Sequence, residues 1–280
     1  MQVAVIGAGT MGSGIAQACA SAGHSVMMYD SQEAALERGR NAISSSLERL
    51  VKKGKLSDED KASVLNNIQS VTDMQALQGA EMVIEAVFEK LEVKQEVWQK
   101  LSSVVSAEAL LASNTSSLSI TEIASYVSHP ERFCGMHFFN PVAVLPLVEV
   151  IAAIQTSEET LQSVRDFAAG LGKTPIVCQD RPGFIVNRLL IPYMNEAAHV
   201  YGEGLASAED IDSAMKLGAN MPIGPLALCD LVGIDVTVAA AESLYNEFQD
   251  SKFRLAPALR QLLRAGKLGR KSGEGFYRYD

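Results

Sequence analysis

His137 opens the run His137-Phe138-Phe139-Asn140-Pro141, and a single carboxylate, Glu149, interrupts the strand-like apolar stretch Leu145-Pro146-Leu147-Val148-Glu149-Val150-Ile151. Histidine changes charge near neutral pH. A lone carboxylate among apolar residues needs a partner. Paired, the two are the usual apparatus for taking a proton from a hydroxyl. They equally fit a satisfied core histidine beside a buried acid, and the pair alone leaves both readings open.

The amino terminus adds a second kind of chemistry. Val3-Ala4-Val5-Ile6 reads as a short strand, and Gly7-Ala8-Gly9-Thr10-Met11-Gly12 leads from it into a helical pattern. A G-x-G-x-x-G in this context is a dinucleotide fingerprint. Gly7 permits the tight turn, Gly9 lets the backbone approach a pyrophosphate, Gly12 lets the helix pack close, and the helix N-terminus faces the anion. The next strand, Ser25-Val26-Met27-Met28-Tyr29, closes on Asp30. A carboxylate there can accept hydrogen bonds from both ribose hydroxyls of NAD, and it can also cap the following helix.

These residues need a scaffold. At 280 residues the chain suits one large domain or two smaller ones. With 48% hydrophobic and 20% charged residues it has the balance of a globular enzyme. A net charge of −9 argues against nucleic acid. No apolar run approaches a membrane span, and no leader pattern precedes the first strand, so a cytoplasmic protein is expected. Cys19, Cys134, Cys178 and Cys229 form no CxxC and read as reduced core thiols. The four histidines lack metal-ligand spacing, so no metal is assigned.

Alternating strand and helix signals predict a Rossmann-like, doubly wound, mostly parallel sheet. Residues 31 to about 68 exceed what one crossover needs. Leu36, Ile43, Leu47 and Leu50 recur at helical spacing, and Ser57-Asp58-Glu59-Asp60 resembles a capping box, so a helical hairpin is predicted. Its tip carries Arg49, Lys52, Lys53 and Lys55. Strand signals resume at Val71-Thr72 and at Met82 to Val87. A helix is predicted from about Lys90 to Val105, with further strands at Ala109 to Ser113, Phe133 to Phe138, Val148 to Ile151 and Thr174 to Cys178. Past Arg181-Pro182-Gly183 strand signals almost vanish. Ile185 to Glu203 and a capping box at Ser207-Ala208-Glu209-Asp210 predict helices, and Met221-Pro222-Ile223-Gly224-Pro225 breaks them. A nucleotide-binding domain over 1–183 and a smaller all-helical domain over 184–280 are expected.

The whole chain resembles the short-chain L-3-hydroxyacyl-CoA dehydrogenases of the 3-hydroxybutyryl-CoA type. The resemblance rests on the glycine loop, Ser113-Asn114-Thr115-Ser116-Ser117, His137 to Pro141, Asp180-Arg181-Pro182-Gly183-Phe184-Ile185-Val186-Asn187-Arg188, Met221 to Pro225 with Asp230, and Gly269 to Tyr277. It implies that His137 is the general base toward a 3-hydroxyl and that Glu149 orients it. It also implies that Ser116 hydrogen-bonds the substrate oxygen and that Asn187 positions the substrate. It places Gly7, Gly9, Thr10, Met11, Gly12, Asp30, Glu89, Lys94 and Asn140 on NAD, and Ser46 and Lys53 on the CoA nucleotide. It further implies an acyl-CoA substrate and a homodimer. Taken singly, Ser116 could cap a helix starting near Ser119, Asn187 could be satisfied by backbone, and Lys52 and Lys53 could be a solvated helix end. The alternatives in function are a related β-hydroxyacid dehydrogenase acting on a free acid, which would leave the basic hairpin tip unexplained, and a non-catalytic NAD-binding relative.

Overall fold

The computed structural model describes residues 1–279, in two compact units that divide between Arg181 and Pro182. The first opens with β1 (Gln2–Ile6), α1 (Thr10–Ser21) and β2 (Ser25–Tyr29). Then come α2 (Glu33–Lys52), α3 (Asp58–Asn66), β3 (Ile68–Val71), β4 (Met82–Glu85), α4 (Leu91–Leu101) and β5 (Leu110–Ser113). The unit is completed by α5 (Ile120–Ala124), β6 (Phe133–Phe138), β7 (Leu147–Ala152), α6 (Glu158–Gly170) and β8 (Thr174–Gln179). Eight strands form one sheet in the order β3-β2-β1-β4-β5-β6-β7-β8. The chain moves outward from β1 to β3, then returns to place β4 on the other side of β1. That reversal makes a crevice at the carboxyl ends of the strands, where nucleotides bind in such sheets.

Every ladder is parallel except β6–β7. Only eight residues, 139–146, join those two strands, too few for the crossover that a parallel pair requires. Buried strand residues carry the core: Val3 and Val5 of β1, Met28 of β2, Met82 and Ile84 of β4, Met136 and Phe138 of β6, Val148 and Val150 of β7. Helix α1 adds Ile15, Ala16 and Cys19.

The helical hairpin is present. Leu36, Ile43 and Leu47 of α2 are buried and Leu50 packs on the same core, so the expected stripe is the packed face. Ser57 caps α3 by accepting from Asp60 N, and its hydroxyl donates to the Asp60 carboxylate. Two boundaries depart from expectation. Strand β3 starts at Ile68 rather than Val71, because Asn67 ends α3 and donates its side-chain amide to Ala20 O. Helix α4 stops at Leu101 rather than Val105; Ser103 Oγ turns back onto Lys100 O, a side-chain bond that competes with helix continuation.

The second unit is all helical: α7 (Val186–Gly202), α8 (Ala208–Gly218), α9 (Pro225–Val232), α10 (Ile234–Phe248) and α11 (Pro257–Arg264). Its core includes Ile191, Met194, Leu226, Val238, Leu244 and Leu259. Ser207 caps α8 as predicted. Two buried aspartates organise the rest. Asp212 accepts from Leu226 N and Ala227 N at the start of α9 and from Tyr277 OH. Asp230 accepts from Phe276 N, Tyr277 N and Tyr279 OH. A Cβ on Gly275 would meet the Asp230 carboxylate at 2.0 Å, so the 269–277 motif is a clasp built around that aspartate.

Candidate active site

The glycine loop joins β1 to α1 beside the topological reversal. Gly7 has φ +102, and a Cβ there would meet Ala86 O at 2.6 Å. A Cβ on Gly12 would lie 1.8 Å from Gly7 O, so the helix can approach the strand this closely only without a side chain. Gly9 differs: nothing lies within 4 Å of its ideal Cβ. The space over Gly9 is open, and no side chain caps the N-terminus of α1. Open space above an uncapped helix start suits a pyrophosphate. Asp30, just past β2, accepts from Ala8 N at 3.0 Å and from Gln32 N at 3.0 Å. It therefore braces the loop and starts the next turn while its carboxylate keeps acceptor capacity for a ribose. Thr10 and Met11 form the first turn of α1.

His137 lies on β6 and Glu149 on β7, directly opposite each other in the antiparallel ladder. His137 Nδ1 is 2.7 Å from Glu149 Oε2. Both are buried, at 6% and 1% exposure. Because Nδ1 faces a carboxylate, it carries the proton in the neutral ring, which makes Nε2 the acceptor. The Phe139 ring packs 4.4 Å from the imidazole. Asn114, at the end of β5, accepts from Phe138 N and fixes the backbone beside the histidine.

Ser116 belongs to the turn after β5. The cap of α5 is Ser119, whose Oγ accepts from Glu122 N, so capping does not account for Ser116. The turn gathers on one oxygen of Glu89: Thr115 Oγ1 donates at 2.6 Å, Ser116 N at 2.7 Å, Ser117 N at 3.1 Å, with the Ser116 and Ser117 hydroxyls at 3.2 and 3.1 Å. Burial acts to raise the Glu89 carboxyl pKa, but the Lys94 ammonium and the bonds from Thr115 and Ser116 outweigh it and hold it below the ordinary carboxylate value. Lys94 is 1% exposed, between Glu85 at 2.7 Å and Glu89 at 3.3 Å.

Asn140 is exposed on the 139–146 loop. That loop is tied down by Lys173 Nζ, which donates to Val142 O and to Leu145 O, and Val142 packs against Gly14 of α1. Ser46 lies half-buried on α2, and Lys53 is exposed at its C-cap. Asn187 is half-buried in the first turn of α7, in the second unit. Among the described residues no cluster of His, Cys, Asp or Glu could hold a metal ion, and no helix is long and apolar enough to cross a membrane.

A model of the 3-hydroxyacyl-CoA dehydrogenase NAD-binding domain matches residues 2–181, and a model of the C-terminal domain of the same enzymes matches residues 183–279. The chain belongs to the 3-hydroxyacyl-CoA dehydrogenase family. It is 49% identical to a solved (S)-3-hydroxybutyryl-CoA dehydrogenase from Ralstonia eutropha, with a TM-score of 0.97 over 100% of this chain and 99% of that one. It is 46% identical to a 3-hydroxybutyryl-CoA dehydrogenase of Clostridioides difficile over the full length of both. It is 44% identical to the mitochondrial hydroxyacyl-coenzyme A dehydrogenase of Homo sapiens, over 99% of this chain and 90% of the relative. As a family member it is an NAD-dependent oxidoreductase of 3-hydroxyacyl-CoA thioesters, which sets aside the free-acid reading. The glycine loop, the bare start of α1 and Asp30 fit that cofactor.

Sequence reasoning missed Glu85. It is 0% exposed, bonded to Lys94, Ser113 Oγ and Val87 N. The signal was available: Glu85 closes an apolar strand, the same oddity that drew attention to Glu149.

Proposed function

We propose that the chain interconverts (S)-3-hydroxybutyryl-CoA and acetoacetyl-CoA, with His137 as the base and acid. The observation that supports this best is the buried His137–Glu149 pair at 2.7 Å, set in a sheet whose first turn fits a dinucleotide. The relatives bearing the 3-hydroxybutyryl-CoA name support the short acyl chain.

His137 Nε2 takes the proton of the 3-hydroxyl while Nδ1–H stays on Glu149. The Glu149 carboxylate then faces an imidazolium, and burial makes that attraction stronger than it would be in water. Ser116 donates to the substrate oxygen, and Asn187 positions the thioester. When bound, NAD supplies the hydride acceptor for C3. Gly7, Gly9, Thr10, Met11 and Gly12 hold its pyrophosphate, Asp30 its ribose, and Glu89, Lys94 and Asn140 are assigned near it by family resemblance. Ser46 and Lys53 are assigned to the CoA nucleotide. A homodimer formed through the second unit is supported by exposed Leu189, Leu205, Leu217 and Leu231 on that unit. Cytoplasmic residence is supported by four unpaired cysteines, which suit a reducing compartment.

The test is oxidation of NADH by acetoacetyl-CoA, compared with free acetoacetate and with longer 3-oxoacyl-CoA thioesters. Turnover fastest with acetoacetyl-CoA and absent with the free acid is expected. Equal turnover of the free acid would overturn the CoA assignment, and faster turnover of a long-chain thioester would overturn the short-chain one.

A further inference from the structure

The 139–146 loop follows directly on the strand of His137 and touches both parts of the site. At its start the Phe139 ring packs 4.4 Å from the imidazole. Three residues on, Val142 is 3% exposed and seated on α1, while Asn140, Pro141 and residues 143–146 are exposed. A Cβ on Gly14 would stand 3.0 Å from both Cβ and Cγ2 of Val142, so only a glycine lets the loop lie this close to the helix. Gly14 is in the second turn of α1, just past the bare start that suits a pyrophosphate. The loop therefore spans from the base to the cofactor helix.

A loop so exposed has little apolar burial to hold it. Val144 N and Leu145 N bond back to Pro141 O at 3.0 Å, and Thr174 N donates to Pro146 O at 2.7 Å. Lys173 supplies the remaining ties: Nζ donates to Val142 O and, at 2.9 Å, to Leu145 O. Its own backbone is fixed. Gly172, at φ +72, ends α6 in the left-handed region; Gly172 N bonds to Ala169 O at 2.9 Å and Lys173 N to Ala168 O at 3.1 Å. That pair of bonds is a Schellman closure, and it launches the lysine stem from a rigid base. Lysine usually snorkels its ammonium to water. Here burial lowers the Lys173 pKa, and no charged neighbour offsets it. The ammonium gives up part of its hydration to bind two loop carbonyls.

We propose that Lys173 is a positioning residue for the reaction: from the end of α6 it clamps the 139–146 loop onto α1, and so keeps the imidazole of His137 in register with the dinucleotide at the start of that helix. The inference rests on the reading of His137 as the base of an NAD-dependent reaction. His137→Ala tests that reading alone, because it leaves the clamp in place.

The experiment is a double-mutant cycle of Lys173→Met with Val142→Ala. Methionine keeps an unbranched stem without its donors, and alanine removes the γ-carbon that lies against Gly14. Three quantities are measured: the Kd for NADH by isothermal titration, kcat with acetoacetyl-CoA, and amide exchange at Val144 and Leu145 without cofactor. In Lys173→Met the two amides should exchange about 10-fold faster, through a local opening. The Kd for NADH should rise about 5- to 30-fold, as expected for one or two lost hydrogen bonds. The kcat should fall about 3- to 30-fold, because small misplacements of a base are costly. In Val142→Ala the same lysine change should cost under about 3-fold in Kd and in kcat, because residues acting through one loop are not additive. Faster exchange with native Kd and kcat would show that the clamp serves the fold alone and would overturn the proposal. So would unchanged exchange, or losses that multiply in the double variant. Should Lys173→Met not fold, Lys173→Gln, whose stem is one bond too short to bridge both carbonyls, is carried through the same cycle with the same outcomes.

Discussion

Replacing Glu149 with Gln isolates what the carboxylate contributes beyond orienting the ring. The amide has the same shape and can still accept from His137 Nδ1–H. The negative charge is lost, and it matters only when the imidazole becomes imidazolium. With Nδ1 and Oε2 2.7 Å apart, the centres of the two charged groups are about 4 Å apart, and their attraction at an effective dielectric of about 20 is about 4 kcal/mol. The amide dipole recovers part of this, so a loss of about 2–4 kcal/mol is expected, or about 30- to 1,000-fold in the proton-transfer step. Single-turnover reduction of NAD by (S)-3-hydroxybutyryl-CoA reads that step even if product release limits kcat, and a primary isotope effect with substrate deuterated at C3 confirms that chemistry is observed. The affinity for NADH should be unchanged, because neither residue belongs to the glycine loop. A single-turnover rate within about 3-fold of the native enzyme, with the isotope effect expressed, would refute the argument that Glu149 stabilises an imidazolium.

Asp30 should make the native enzyme prefer NAD over NADP by at least about tenfold, roughly 1.4 kcal/mol. Asp30→Ala should narrow that ratio and weaken NAD as well, since Ala8 N and Gln32 N lose their acceptor; equal kcat/KM for the two cofactors in the native enzyme would show that Asp30 does not face the ribose. Lys53→Ala should raise KM for acetoacetyl-CoA more than for its N-acetylcysteamine analogue, and added salt should mimic the change through screening over about 8 Å; equal effects on both substrates would make the hairpin tip a solvated helix end. Burial pushes the thiols of Cys19, Cys134 and Cys229 up to about 12, and burial together with Glu149 and Asp180 does the same for Cys178. A raised thiol pKa leaves almost no thiolate at neutral pH, so mass spectrometry should find iodoacetamide labelling of the native protein slow there and complete only in denaturant. Rapid native labelling at any of the four would contradict this.

The parts of the fold written in local chemistry were legible. The glycine loop, the capping serines Ser57 and Ser207, and the strands Ser25–Tyr29 and Phe133–Phe138 each depend on residues close in sequence. The direction of β7 was not read, because an apolar run fits either orientation; the eight-residue connection before it was the clue. The burial of Lys94 was also hidden. A lysine on a helix reads as solvent-facing, and only the three-dimensional approach of Glu85 and Glu89 shows that it is buried. His137 and Glu149 stood out because a histidine and an acid on apolar strands break their own pattern. Ser116 did not, since serine in a turn breaks nothing.

The reversal of β7 bears on how the protein comes apart. His137 and Glu149 are held by facing ladder positions in the interior of an eight-stranded sheet, between Gly135↔Ile151 and Phe138↔Val148. Amide protons there should exchange with deuterium only through the rarest openings, whereas those of the Ser113–Ser117 turn and the first turn of α1 can exchange through local fluctuations. Gradual warming would then silence turnover while the proton-transfer couple is still assembled, and cooling would restore activity without that couple having to find its register again.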